Sequence, residues 1–596
     1  MTSLLSLLLL LASIAASLRA NELSQEREQL DNKIKETKRY LDSLPDIDPT
    51  INPKNALVVG DAWRYYASLL QTKDMQFPSG GGKYQIQTLN AFNNALHYAN
   101  ENDAAFTIDI SMRKTVLLKM MGRISDAIVA IDKGLDTCHR FRENCSSNDE
   151  GKMLNYKAMA LMTNGSVSVA LETFKASINV SPNIFSNYLG MIECYKELKS
   201  LNKDEWKRVL EALEIVMHAY KAGASIVTAE SDIYGKESII RYVKDEGDND
   251  SDTSIFWALF QAADKAQLYN LAWKYLSIAH EYELSVRPKY DANVSREQLR
   301  HIKNIFIPTF WIKGIGSKST LPIFVIGMMR SGSTLLENMF DAHSDILGMG
   351  EDSIFNANLQ ELKDKLVSLA ADGKDTKDLQ KVITDYAKKV DKLMANTAKK
   401  DNKHIKFKHI VDKMLFNYRS IGFIHYVYPE AIIVHMVRDP MDTILSCFTH
   451  KFDHYGLEWS MNEDHLVDQF AIYLQIMNHF RSVLPGRIID VRYEELVNEP
   501  ERVLRSLLRR MKVDWDPNVL DFFKFNRIVQ THSQSQVRHS VYNSSIGSWR
   551  KYNTELQSIK TKLLPHIDAL LEKGGLPFID KMNWGLEANY DYRYEG

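Results

Sequence analysis

The stretch Leu321–Leu336, LPIFVIGMMRSGSTLL, constrains the fold more than any other part of the chain. It reads as an apolar strand, a tight glycine turn and a helix start. It also fits the phosphate-loop pattern G-x-x-x-x-G-K-[ST] at every fixed position except one. Gly327, Gly332 and Thr334 fit, and Ser333 stands where the lysine belongs. That lysine reaches the β- and γ-phosphates of a nucleoside triphosphate. A loop that keeps the cradle and drops the lysine suits a nucleotide without a γ-phosphate.

From Leu321 onward, short apolar runs alternate with helical stretches. Strand candidates are Ile323–Gly327, Ile405–Ile410, Ala431–Val437 and Arg487–Val491. This alternation predicts an α/β domain with a parallel sheet. Ligands of such sheets bind beyond the carboxyl ends of the strands. In the loop Arg330–Thr334, successive backbone N–H groups and a helix start would face an anion. Gly332 allows close approach, the Ser333 and Thr334 hydroxyls donate to phosphate oxygens, and Arg330 adds positive charge. A second motif, AIIVHMVRDPMDTILSCF, ends a buried strand at Arg438, opens a helix at Pro440 and places Ser446 in that helix. A strand-end arginine and a helical hydroxyl clamp one phosphate from two sides, because the guanidinium forks to phosphate bidentately. The rival reading of Arg438–Asp439 alone is a local ion pair.

The N-terminal half differs in kind. Between about 88 and 290 the pattern is helical. Two windows, GRISDAIVAIDKGL from Gly122 and GSVSVALETFKASINVSP from Gly165, share a glycine, then an alanine (Ala127, Ala170), then a bulky residue (Ile131, Phe174). A third window repeats the small-then-large order at Ala272 and Leu276. The small residue lets helices approach and the large one fills the groove, as in tetratricopeptide-like helical hairpins. The charged segment 22–45 reads as a stem helix or short coiled coil, and the acidic run Asp245–Asp252 as a solvated loop.

With 596 residues the chain has room for two or more domains. Its net charge of −2 offers no footprint for nucleic acid. Its four cysteines, Cys138, Cys145, Cys194 and Cys447, form neither a disulfide framework nor a zinc spacing. Cys138 and Cys145 can pair across a loop in an oxidising compartment. The apolar run Leu4–Ser17 is short for a membrane span, which needs about 20 residues. It suits a signal peptide or, as the alternative, an uncleaved membrane anchor. Either places the remainder in the secretory lumen, and N-x-[ST] acceptors at Asn144, Asn164, Asn179, Asn249, Asn293 and Asn543 permit that location. The expected layout is a leader over 1–20, a stem or linker over 21–87, an all-α repeat domain over 88–300 and an α/β domain over 318–580.

Five segments, RSGSTLLE, VDKMLFNYRSIGFIHYVYP, IIVHMVRDPMDTILSC, VRYEELVNEP and QVRHSVYNSSIGSWRKY, occur in that order. Together they resemble the sulfotransferases that use 3′-phosphoadenosine 5′-phosphosulfate (PAPS). The nearest likeness is to tetratricopeptide-repeat sulfotransferases, and a more distant one is to tyrosylprotein sulfotransferases. The resemblance implies an α/β P-loop-like sulfotransferase domain with a parallel sheet, preceded by an all-α tetratricopeptide-like helical repeat domain. It implies that Arg330, Ser331, Gly332, Ser333 and Thr334 hold the 5′-phosphosulfate, and that Arg438 and Ser446 clamp the 3′-phosphate. Tyr493 then lies near the adenine or ribose, and Arg538 with Trp549, Arg550, Lys551 and Tyr552 closes over the nucleotide. Glu351 becomes the base for the acceptor hydroxyl, with Asp352 a weaker choice. Lys413 and Arg330 stabilise the transition state. The resemblance calls for no metal. Where tyrosylprotein enzymes carry a further arginine after the serine, this chain has His450 and Lys451.

The expected activity is sulfuryl transfer from PAPS to a hydroxyl of a glycan, a protein tyrosine or a metabolite, in the secretory pathway and its Golgi lumen. The helical repeats would offer a protein-partner surface. Two rivals remain: a P-loop NTPase or kinase using Asp439 as its metal-binding acid, and a repeat scaffold with an inactive transferase domain. The insertion Asn356–Lys403, between Glu351 and Lys413, reads as a lid, an acceptor wall or a solvated helical hairpin.

Overall fold

A computed structural model describes residues 20–44, 53–76, 83–99, 103–221, 225–228, 240–243, 253–311, 314–351, 354–371, 375–399, 407–452, 456–524 and 543–572. The leader, the acidic run Asp245–Asp252, Asp352 and Arg538 lie outside them. The chain forms two compact units, one from Arg19 to Val286 and the other from Arg287 onward.

The first unit is built from packed helices. Ala104–Met120 pairs with Ile124–Arg140, Ser147–Thr163 with Val167–Val180, and Ser254–Lys265 with Tyr269–Val286. The small-then-large pattern is the core of these pairs: Ala127, Ile131, Ala170, Phe174, Ala272 and Leu276 are all fully buried. Phe174 shows why a small partner is required. A Cβ added to Gly190, on helix Ser186–Leu198, would lie 2.3 Å from the Phe174 ring. The segment read as a stem is also part of this unit. Helix Ala20–Ser43 buries Leu41 in a core with Tyr66, Leu70 and Phe92, from the helices Pro53–Gln76 and Lys83–His97. The all-α expectation needs one amendment, since Ser225–Thr228 and Ile240–Val243 pair as antiparallel strands. Cys138 and Cys145 are joined by a disulfide that closes the turn after Ile124–Arg140. Cys194 and Cys447 are buried free thiols.

The second unit opens with helix Ala292–Ile305, whose Arg296 pairs with Asp468 at 3.0 Å. Its centre is a parallel sheet of β1 (Pro322–Gly327), β2 (Ile346–Gly348), β3 (His409–Asp412), β4 (Ile432–Val437) and β5 (Ile488–Arg492), in the order β2-β3-β1-β4-β5. Every residue of β1 is buried, as an unbroken apolar run in a covered sheet requires. One face is filled by Ile323, Val325, Leu336, Met339, Phe340 and Met436, among others. β1 leads to β2 on one side and β4 leads to β5 on the other, so the chain diverges between two neighbouring strands. Such a switch point leaves a crevice at the carboxyl ends. The phosphate loop follows β1 and Arg438 follows β4, so both motifs border that crevice.

The strand expectations need three corrections. The strand expected at Ile405–Ile410 forms at His409–Asp412, where pairing with β1 and β2 sets its position. The fifth strand is shifted by one residue, and the short β2 was not expected. The insertion is neither a free lid nor a solvated hairpin. Its helices α2 (Ile354–Ala371) and α3 (Thr376–Lys399) bury Phe355, Ile383, Tyr386 and Val390. Tyr428 donates to Asp391 at 2.9 Å, and the Phe355 ring stands 5.5 Å from Phe324 of β1, edge to face. This hairpin is docked on the sheet domain.

Candidate active site

After β1 the backbone turns through Gly327 and Arg330 into helix α1 (Ser333–Asp341), with Gly332 as its N-cap. Gly332 has φ 92°, and a Cβ there would lie 2.3 Å from the Tyr493 ring. Any other residue would be strained and would displace that tyrosine. Arg330 adopts φ 66°, unusual for a residue with a side chain. That turn directs its guanidinium to Ser446 on helix α4 (Pro440–Phe448), where Nε donates to Oγ at 3.0 Å.

Arg438 locks the same turn from β4. Its Nη1 donates to the Arg330 carbonyl at 3.0 Å and its Nη2 to the Ser545 carbonyl at 2.7 Å. Its guanidinium lies 4.9 Å from the centre of the Tyr493 ring, and the Tyr493 hydroxyl meets Ser545 Oγ at 2.7 Å. Thus Arg330, Gly332, Arg438, Ser446 and Tyr493, distant in sequence, form one cluster. Two polar atoms in it, Ser331 Oγ and Arg438 Nε, are buried without a hydrogen-bond partner. Buried polar groups are costly unless satisfied. Their position beside a helix N-terminus and two arginines fits an anionic phosphate. Ser333 and Thr334 are buried at the helix start.

A second cluster stands across α1. Lys413, just past β3, is wholly buried, and its Nζ donates to Glu351 at 2.7 Å and lies 3.6 Å from Glu337. Glu337, on α1, accepts from the Gly350 N–H at 2.5 Å. The expected base and the expected cation are therefore in direct contact. Its neighbour Asp412 turns the other way, because adjacent residues at a strand end point to opposite faces. Asp412 instead accepts from the Met414 N–H and Asn417. His343 is structural: it meets the Asp514 carbonyl and accepts from the Asp345 N–H.

The C-terminal segment Trp549–Tyr552 packs into the sheet domain. Trp549 and Tyr552 are buried among protein atoms. Arg550 stacks at Trp549 and Lys551 at Tyr552. What fastens this segment is Asp442, in the first turn of α4. Its carboxylate accepts from the Gly547 N–H, the Ser548 hydroxyl and the Trp549 N–H, at 2.6, 3.0 and 3.0 Å. Asp442→Ala is expected to cost about 2 kcal/mol of stability, since three donors lose a buried acceptor. Thermal unfolding and limited proteolysis of the segment check this. An unchanged midpoint with an intact segment would refute the anchoring role.

Asp439 does not present a metal-binding carboxylate. It is the N-cap of α4, and its Oδ1 accepts from the Met441 and Asp442 N–H groups at 2.7 and 3.0 Å. Burial, and then the neighbouring Asp442 charge, push its carboxyl well above the ordinary range. The residues that sequence reasoning missed are Glu337, Asp442 and Ser545. Glu337 carried a signal of a kind: it stands one helical turn after Ser333 and so returns to the same face.

Residues 322–517 match the sulfotransferase family. An uncharacterized protein of Aquifex aeolicus is 30% identical over 312 residues, covering 51% of this chain and 40% of that one. Protein-tyrosine sulfotransferase 1 of Danio rerio is 27% identical over 208 residues, covering 33% of this chain and 55% of the relative. The human protein-tyrosine sulfotransferase 1 is 28% identical over 204 residues, covering 33% and 53%. The chain thus spans about half the length of the curated relatives it matches, or less. Among solved structures, the sulfotransferase domain from the Synechococcus PCC 7002 olefin synthase aligns at a TM-score of 0.27 and 20% identity, covering 40% of this chain and 90% of that one. The phosphate loop, the strand-end Arg438 and the Lys413–Glu351 pair all stand within residues 322–517, the part of the chain that is similar to the sulfotransferase family.

Proposed function

We propose that the chain transfers a sulfuryl group from PAPS to a hydroxyl acceptor. The observation that carries this reading is the convergence of Arg330, Arg438 and Ser446 on a loop that lacks the lysine of a triphosphate site. PAPS supplies the activated sulfuryl group. The loop N–H groups with Ser333 and Thr334 would hold its 5′-phosphosulfate, and Arg438 with Ser446 its 3′-phosphate. Glu351, half-exposed beside Lys413, would take the proton of the acceptor hydroxyl as its oxygen attacks sulfur. The bond from sulfur to the 5′-phosphate oxygen breaks in the same displacement. Lys413 and Arg330 then face the negative charge that grows on the leaving phosphate.

The acceptor class is a glycan, a protein tyrosine or a small metabolite hydroxyl. The helical unit, read as tetratricopeptide-like, would serve as a surface for an extended acceptor or a protein partner. The reading includes residence in the secretory pathway, in the Golgi lumen. The Cys138–Cys145 disulfide suits an oxidising compartment. The acceptor asparagines Asn144, Asn164, Asn179, Asn293 and Asn543 are all exposed.

Labelled-sulfate transfer from PAPS onto a panel of glycans, tyrosine peptides and small alcohols tests the activity. Transfer to at least one class is expected, with inhibition by adenosine 3′,5′-bisphosphate and little by ATP. ATP hydrolysis without PAPS binding would overturn the reading.

A further inference from the structure

Helix α1 starts at the phosphate loop and carries two carboxylates further along, neither of which the proposed reaction uses. Glu337 and Asp341 stand four residues apart on it and so share one face. Both reach the turn that follows β2. Asp341 Oδ1 accepts from the Gly348 N–H and Glu337 Oε1 from the Gly350 N–H, each at 2.5 Å. Between them the Met349 N–H donates to the Val411 carbonyl of β3 at 3.0 Å. Three successive amides are thus pinned, alternately to α1 and to β3, and the next residue is Glu351. Gly350 holds φ 73° at that turn. Glycine moves through both halves of φ about equally well, so the turn that aims Glu351 needs an outside tie.

The Glu337 carboxylate also faces the cation of the transfer centre. It is buried, and it lies 3.6 Å from Nζ of Lys413, which is wholly buried. Among the described residues, the ion-pair partners of Lys413 are Glu337 and Glu351. The two carboxylates differ in setting, since Glu351 is half-exposed and Glu337 is enclosed. Before transfer, one ammonium faces two carboxylates. Once Glu351 has taken the proton of the acceptor hydroxyl, its charge is gone and the ammonium is left opposite Glu337. A buried ammonium without a counter-charge is costly. Glu337 therefore removes a penalty that would otherwise oppose the proton transfer.

We propose that Glu337 is a positioning residue for sulfuryl transfer. It holds the turn that presents Glu351, and it keeps Lys413 compensated after Glu351 is protonated. Helix α1 is nine residues long, so its first residues would face the donor phosphate while its fifth sets the transfer pair. One short rod thereby fixes the distance between the donor loop and the base. The part of this inference that concerns turnover rests on the nucleotide reading above.

The test compares Glu337→Gln and Glu337→Ala in the full chain. The glutamine keeps the size and an acceptor oxygen for the Gly350 N–H but carries no charge, and the alanine removes both. With PAPS and a working acceptor, kcat is expected to fall about tenfold in Glu337→Gln and about 10²-fold in Glu337→Ala. KM for PAPS is expected to stay within about threefold of wild type in both. Without ligand, hydrogen exchange of the amides of residues 348–351 is expected to quicken by about tenfold in Glu337→Ala and to keep its rate in Glu337→Gln. Wild-type kcat in Glu337→Gln overturns the role of the charge. Unchanged exchange in a folded Glu337→Ala overturns the hold on the turn, whatever the ligand. Equal loss across kcat, KM for PAPS and melting temperature in Glu337→Gln also overturns the proposal, since that is general destabilisation. The isosteric glutamine covers the case of a poorly folded alanine variant. Absence of bisphosphate binding by the wild-type chain overturns the nucleotide reading and the proposed effect on kcat. The exchange measurement then still decides whether Glu337 holds the turn before Glu351.

Discussion

Lys413→Ala is expected to lower sulfuryl turnover by about 10²–10³-fold while affinity for adenosine 3′,5′-bisphosphate changes by less than about threefold. The separation follows from where the lysine sits. It touches Glu351 and Glu337, not the arginine cluster around Arg330 and Arg438. The bisphosphate carries no sulfuryl group, so it reports the cradle without the transfer centre. Removing the ammonium also takes away the cation 3.6 Å from Glu337, which is buried, though that carboxylate keeps the Gly350 N–H. Some loss of stability must accompany the variant, because breaking a buried pair leaves a charge behind. The bisphosphate isotherm is the control for folding. Turnover within threefold of wild type, with normal binding, would remove Lys413 from the transfer centre.

Arg438→Ala should act on the other half of the site. Affinity for adenosine 3′,5′-bisphosphate is expected to fall by about 10²–10³-fold, since charge-assisted bonds to phosphate are among the stronger hydrogen bonds. Adenosine 5′-monophosphate, which lacks the 3′-phosphate, should lose less, so the ratio of the two affinities should collapse toward one. Arg438→Lys should restore little. An ammonium cannot reproduce the planar fork that reaches both the Arg330 and Ser545 carbonyls. A variant that weakens both ligands equally would show that Arg438 orders the loop without contacting the 3′-phosphate. Calorimetric titration with the two ligands reads the difference.

Sequence legibility tracked the range over which each feature is determined. β1 and β4 were visible because a strand covered on both faces needs a mostly apolar run; β1 is unbroken and β4 is interrupted only by His435. β3 was misplaced because its buried end is Asp412, a residue whose burial depends on Met414 and Asn417 and not on hydropathy. β2 spans only Ile346–Gly348, too short for any period to register. The expectation that Arg438 and Ser446 clamp one phosphate came from resemblance to a family pattern. The contact that joins Ser446 to Arg330 depends on the positive φ of Arg330, which nothing local in the sequence announces. Asp442 shows the same limit. Its partners lie more than a hundred residues downstream, and two of the three are backbone N–H groups that carry no residue identity. The nucleotide role of Trp549 and Tyr552 came from resemblance alone, and their burial had no local signal, because aromatic residues serve both stacking and core.

The Lys413–Glu351 ion pair closes a loop of chain that contains the whole α2–α3 hairpin. Both partners are set by strand ends, and the hairpin is the excursion of chain between them. Its inner face is fixed by Phe355, Ile383, Tyr386 and Val390, which leaves only its outer face open to change. Evolution can rewrite that outer face while Glu351 and Lys413 stay in place, and an engineer can alter it on the same terms.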